Sequence, residues 1–472
     1  MSDSGFPGGT PAPRSTRAVF AARSVAVVSL LGVVALLAWL VAYAPATTQA
    51  APTTSAPRPR PGNPATAPSP SAAAPVQALV PGSVPSLVFQ GPGVLLVAVI
   101  PGGYPNEGRV PSRLFLTTDG THWTDVTPPQ TSDNGTYPVF EHASFINSST
   151  GWVSAWNLGT TGVTIFRTSD QGKSWTAIAA GRHSQAAGAT ELIDLVGPHT
   201  AFAEYLEPTG PGESLAVTTD AGGSWRTVYR GPKPTPAGQQ PSGPDFGQIA
   251  FNGPANGFAA GGLPPIEPFA TGPQFFHTTD GGSTWTPESP PLPEPASDCP
   301  GLLSPQSAAG CAYSLPSFED PAHGVLAAVA AKSGLARIAF DTTGDGGASW
   351  KETASVSVTV PVAAYPPGIG GLPALPLVSM PASGTWWVLG WDGTTLISRV
   401  TTNGGSSWKN ASALLPFHGT PMGFGALDGS HAVVMIATPT STQPVISMLV
   451  TSDGGQSWHQ LRLPASGALR DG

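Results

Sequence analysis

Six aspartates and one asparagine recur in one local setting: Asp119, Asp170, Asp220, Asp280, Asp345, Asn403 and Asp453. Each follows a threonine by two residues and precedes a tryptophan by four or five: Trp123, Trp175, Trp225, Trp285, Trp350, Trp408 and Trp458. The phrases read TTDGTHW, TSDQGKSW, TTDAGGSW, TTDGGSTW, TGDGGASW, TTNGGSSW and TSDGGQSW. A repeated carboxylate offers two chemistries. It can work as general acid, base or nucleophile, as carboxylate pairs do on glycosides. It can instead accept hydrogen bonds from nearby backbone N–H groups and shape a turn. The sixth copy decides between them, because Asn403 keeps the acceptor and removes the charge. The seven residues are therefore read as structural turn formers, and no catalytic residue is assigned.

The elements around each phrase follow from composition. Glycine after the acid supplies a left-handed conformation at no steric cost. The tryptophan is a large apolar anchor, expected to pack the turn onto its own sheet. Short apolar or alternating runs such as VTIFRT, SLAVTT, QFFHTT and ISMLVT precede the phrases, and TAIAA, RTVYR and HQLRL follow them. Further upstream, ASFINSSTGWVSAWN, IAFNGPANGFAAGG and LVSMPASGTWWVLGW each read strand, turn, strand. Successive tryptophans are 52, 50, 60, 65, 58 and 50 residues apart. A fixed phrase at such a period means one supersecondary unit per repeat. Four short antiparallel strands per unit predict an all-β chain forming a single seven-bladed β-propeller over residues 79–472.

The pattern S/T-x-D-x-G-x-x-W resembles the Asp-box, or BNR repeat. That repeat is found in sialidases, xyloglucan-cleaving propeller enzymes, sortilin-type receptors and the propellers of photosystem II assembly factors. The layout here looks most like the last group and the sortilin type, which implies a non-enzymatic propeller of sialidase-like architecture. The resemblance covers the repeats alone. Three copies depart from the pattern: the first is one residue short, the fifth carries Gly344 and the sixth carries Asn403.

An enzyme of this architecture needs more than boxes. A sialidase requires converging arginines, a nucleophilic tyrosine and an Arg-Ile-Pro-like motif, and no such motif occurs. A glycoside hydrolase acting on extracellular glycans is the alternative reading, and it needs two carboxylates across a cleft. Its candidates outside the boxes are Glu141, Glu191, Asp194, Glu204, Glu319, Asp320, Asp392 and Asp428. Trp152, Trp156, Trp386, Trp387 and Trp391 could form sugar platforms, but strand alternation sends Trp386 and Trp387 to opposite faces. They are read as inter-blade core. The nine histidines show no metal-binding spacing, so neither metal nor cofactor is expected.

Charged residues make up 10% of 472, while Gly and Pro number 58 and 54. This favours short strands and turns over long helices. Residues 79–472 carry 15 basic against 27 acidic side chains, which argues against a nucleic-acid partner. Ser24–Ala44 is 21 uncharged, mostly apolar residues, long enough to span a bilayer. Arg14, Arg17 and Arg23 precede it, so residues 1–23 are expected in the cytoplasm and the propeller outside. A signal peptide cut after Ala44 or Ala50 is the competing reading. Residues 45–78, rich in Pro, Ala, Ser and Thr, read as an extended linker. Cys299 and Cys311 are expected to pair as a disulfide outside the cell; unrelated thiols are the other reading. Pro-rich insertions between Trp225 and Trp350 mark where a protein or glycan ligand could bind a propeller face, unless they are decoration.

Overall fold

The computed structural model describes residues 84–100, 110–130, 135, 137–157, 163–178, 192–206, 213–231, 248–261, 274–294, 309–361, 375–415, 419–438 and 445–463. The first blade is β1 (Val84–Gly91), β2 (Val94–Ile100), β3 (Arg113–Thr117) and β4 (Thr124–Asp125). The second is β5 (Pro138–Phe145), β6 (Gly151–Asn157), β7 (Val163–Thr168) and β8 (Thr176–Ile178). The third is β9 (Leu192–Leu195), β10 (Ala201–Leu206), β11 (Glu213–Thr218) and β12 (Arg226–Arg230). The fourth is β13 (Gln248–Phe251), β14 (Gly257–Gly261), β15 (Gln274–Thr278) and β16 (Thr286–Glu288). The fifth has its first strand in two pieces, β17 (Ala309–Tyr313) and β18 (Ser317–Phe318), then β19 (Gly324–Lys332), β20 (Leu335–Thr343) and β21 (Lys351–Thr359). The sixth is β22 (Leu377–Ala382), β23 (Thr385–Trp391), β24 (Thr395–Thr401) and β25 (Lys409–Leu414). The seventh is β26 (Thr420–Ala426), β27 (Ala432–Thr438), β28 (Val445–Thr451) and β29 (His459–Gln460).

Every blade is an antiparallel meander built from one contiguous stretch of chain. The first strands approach one another around the axis: β1 meets β5 and β26, β5 meets β9, and β9 meets β13. The chain is a seven-bladed β-propeller. Interior strands are covered on both sides by neighbouring blades, which explains apolar runs in place of simple alternation. In β23 Trp386 stacks on Phe340 of the fifth blade, while Trp387 meets Phe424 of the seventh edge-on. Both rings are buried, as is Trp391, so the inter-blade reading of these residues holds.

Among the described residues no strand is exchanged between the last blade and the first. The seam is closed by side chains. Val88, Val97, Val99 and Phe115 of the first blade share a core with Val433, Met435, Ile446 and Met448 of the seventh. Near the axis, Gln90 reaches across both. Its Oε1 accepts the Ala426 N–H (3.2 Å) and the hydroxyl of Ser379 in the sixth blade. Gly425 makes the room, since a Cβ there would stand 3.3 Å from Gln90 Cβ. The same device recurs on the far side of the ring. Asp194 accepts from Ser144 of the second blade (3.4 Å) and from the Phe251 N–H of the fourth (2.5 Å).

No helix among the described residues is long and apolar enough to cross a membrane. The expected span, residues 24–44, lies outside the described residues, as do the cytoplasmic tail and the linker. Cys311 is buried at β17 and is not a free thiol, while Cys299 lies outside the described residues.

Candidate functional site

The seven repeated phrases each connect the third strand of a blade to the fourth. In the second blade the Thr168 hydroxyl donates to Asp170 Oδ1 (2.8 Å) and accepts the Gly172 N–H (2.9 Å). The carboxylate then holds Ser174 twice, at the N–H (2.9 Å) and at the hydroxyl (2.6 Å). Thr218–Asp220–Ser224, Thr278–Asp280–Thr284, Thr343–Asp345–Ser349 and Thr451–Asp453–Ser457 repeat the pattern. Two successive positive φ angles follow each of these acids, for example 71° and 82° at Gly281 and Gly282. Gln171 and Ala221 take the first of these positions at 65° and 60°, so the turn tolerates a side chain there.

The exceptional copies explain themselves. In the short first box, His122 replaces the serine and bonds Asp119 Oδ2 through Nδ1 at 2.6 Å. In the sixth, Asn403 Oδ1 accepts the Ser407 N–H (3.0 Å), and its Nδ2 donates to the Ser407 hydroxyl (2.8 Å). The amide reverses one hydrogen bond and keeps the turn.

These bonds set the acidity of the box carboxylates. The Ser174 hydroxyl and N–H hold Asp170 down at about 2, and Ser224 and Ser349 do the same for Asp220 and Asp345. His122 lowers Asp119 further still. Burial opposes the effect at Asp280 and Asp453, yet bonds from Thr284 and Ser457 still leave both below the usual range. A carboxylate with all these partners and a depressed pKa is poorly suited to donate a proton near neutrality.

The tryptophans do more than the sequence reading expected. They anchor each turn to the preceding blade, and some hold their own blade too: Trp285 Nε1 donates to Gly282 O and its ring meets Phe251, while Trp350 meets Phe318. Trp175 Nε1 donates to Val126 O of the first blade (2.7 Å), and Trp225 meets Trp152 of the second edge-on. Trp285, Trp350 and Trp408 pack into the cores shared with the third, fourth and fifth blades, and Trp458 with the sixth. Trp123 closes the circle by packing on the core shared with the seventh blade. Of the seven, Trp458 is the most buried, at 9% exposure; the other six, Trp225 included, are half-buried. The reason is radial: the box lies on the outer part of the blade, where adjacent sheets splay, and the indole spans the gap.

The other candidate acids are dispersed. Asp320, Asp392 and Asp428 each accept two backbone N–H groups and shape turns of their own. Glu141 and Glu204 are buried on β5 and β10, Asp194 belongs to the axial bonds described above, and Glu191 lies outside the described residues. Among the described residues no cluster of three or more potential metal ligands occurs.

One acid escaped the sequence reading. Asp341 on β20 is fully buried between the fourth and fifth blades, and neither carboxylate oxygen has a hydrogen-bond partner. Burial, assisted by the charge of Glu352 opposite it, raises its pKa to about 7. Two residues before the box threonine, the other blades carry Phe115, Phe166, Ala216, Phe276, Arg399 and Leu449. That break in the repeat was the available signal.

No protein-family model matches the chain, and no curated protein matches it. Solved structures do. A structure described as YCF48 bound to D1 peptide is 15% identical and covers 80% of this chain and 93% of its own, with a TM-score of 0.42. YCF48 from Cyanidioschyzon merolae is 14% identical over 81% of this chain and 97% of its own, at 0.40. The Hadza microbial sialidase Hz136 is 13% identical over 71% and 66%, at 0.39. These are likenesses of fold; the propeller assignment rests on the seven sheets themselves.

Proposed function

We propose that the chain is a membrane-anchored, extracytoplasmic propeller that acts as a binding or assembly scaffold for a protein or cell-surface glycan. Residues 1–23 are cytoplasmic, residues 24–44 span the bilayer, and residues 45–78 tether the propeller. In this reading the boxes are staples between blades. The bridge between Cys299 and Cys311 holds the long connection before the fifth blade.

One observation carries the proposal: the two ends of the propeller differ in kind. At the box end, third-to-fourth connections are six or seven residues and first-to-second connections two or five. At the opposite end, second-to-third connections run from 2 to 12 residues and fourth-to-first from 5 to 20. Length variation on a fixed scaffold is how recognition surfaces diversify. Asp341 has the raised pKa that a general acid needs, but it is buried between blades, where a substrate cannot reach it.

Affinity capture from native membranes with the full chain tests the proposal. Replacing residues 232–247 with a Gly/Ser segment of equal length should deplete the captured partner, while Asp220→Asn should not. Equal capture by both, or loss with Asp220→Asn alone, would overturn the assignment of recognition to the variable end.

A further inference from the structure

The box turns dock on the first-to-second turns of their own blades. Gln171 N–H donates to Ser149 O, Ala221 N–H to His199 O and Gly454 N–H to Ser430 O, at 2.8–3.0 Å. Both kinds of turn therefore lie at one end of the propeller. Every first strand must then start at the other end, so Val84 opens β1 at the variable end, close to the axis. The linker read from the sequence joins the propeller there.

Among the described residues, the exposed large hydrophobic side chains stand at that same end. Leu335 is 56% exposed where β20 begins, Leu414 81% exposed where β25 ends, and Val445 54% exposed where β28 begins. They occupy three consecutive blades, the fifth, sixth and seventh. Each stands at a strand end on a separate blade, so together they suit a broad apolar partner that reaches three blades at once. Exposed charges at this end carry both signs, Lys332 and Arg230 against Asp392 and Glu294. Attraction to one sign of lipid headgroup is not what the surface offers.

We infer that the variable end of the propeller, through Leu335, Leu414 and Val445, docks onto a lipid surface. This rests on the proposed anchor at residues 24–44. The proposed linker, residues 45–78, is 34 residues, for which a flexible coil would span about 32 Å, and more where prolines stiffen it. A tether of that reach keeps the surface at high effective concentration beside the bilayer, so three aliphatic side chains suffice where a free domain would need more.

The test uses the full chain reconstituted in phosphatidylcholine vesicles. An environment-sensitive fluorophore is placed at Leu335→Cys, Leu414→Cys or Val445→Cys, with Lys173→Cys at the box end as reference and the chain lacking any introduced cysteine as background. The three variable-end probes should shift to the blue. Acyl-chain spin labels should quench them at least about twofold more than the reference, as expected for side chains at the headgroup boundary. Adding anionic phosphatidylglycerol should change little. If the chain inserts but the three probes stay as water-exposed as Lys173→Cys, the docking inference fails and the anchor stands. A chain that does not remain with the vesicles overturns both. Probes that are shielded but unquenched would show a protein covering, from residues 362–374 or a second copy, and would overturn the lipid assignment.

Discussion

The two ends of the propeller solve opposite problems with one set of blades. At the box end the threonine and the acid or amide of each repeated turn are committed within the turn, and the tryptophan packs against the blade before it. At the other end the connections vary in length from blade to blade, and there, among the described residues, the large apolar side chains that stand exposed are found. A repeat that secures its own joints leaves the far end free to differ, and that contrast can be broken by experiment.

The largest effect should come from the best-buried staple. Trp458→Ala should lower unfolding free energy by about 3–5 kcal/mol in a denaturant titration, as for aromatic truncation in a core. Trp225→Ala, whose ring is half-buried, should cost about half as much. Equal costs would mean that burial between blades is not what the tryptophan contributes.

Next is Asp341, the place where the box-side regularity lapses. Its folded pKa lies near 7, above the unfolded value near 3.8, so the folded state binds the extra proton between those limits. Stability is then fully present below about pH 4 and lost as pH rises towards 7. Asp341→Asn should stabilise the chain by about 2 kcal/mol at pH 8 and leave it unchanged at pH 4. Parallel pH dependence in the variant and the parent would remove the buried charge from the account.

Gln90→Ala should cost about 1–2 kcal/mol, because it deprives the buried Ser379 hydroxyl of its acceptor and the Ala426 N–H of one of its two, the other being Ser379 Oγ. Amide exchange at Ala426 should quicken more than at Phe251, whose acceptor Asp194 is untouched. Uniform quickening would show that the seam is not a distinct joint.

The smallest effect is expected at a box carboxylate. Asp220→Asn should leave the unfolding midpoint nearly unchanged at pH 7, since Asn403 already serves the sixth box. Depressed carboxylates contribute stability above pH 4 that fades as pH falls through about 2. The variant should therefore show a shallower acid limb, read by circular dichroism between pH 4 and 2.

Most of the fold could be read from the repeat, because turn chemistry is local. Thr, Asp, two left-handed residues and Ser satisfy one another within eight positions, and a local rule repeated seven times announces itself. The direction of the tryptophan could not be read, since a pleated strand gives two faces and only the ring arrangement says which neighbour each meets. The seam was hidden for the same reason: Gln90, Ser379 and Ala426 are hundreds of residues apart or nearly fifty, and their meeting is a property of closure. Asp341 was legible in principle as a charge in an otherwise mostly apolar column, but only once the register of all seven third strands was aligned.

The seam also bears on how such a chain is made. Because each blade is one uninterrupted stretch and, among the described residues, none borrows a strand from the far end, a blade need not wait for the last residues to be synthesised before its sheet is complete. Assembly can proceed blade by blade in the order of synthesis, with each new box clasping the blade already formed. Only the meeting of the seventh blade with the first is deferred. The same connectivity makes every blade boundary equivalent as a cut point, so a permuted chain opened between the third and fourth blades, and joined across the present seam, should reach the same ring by a different order of assembly.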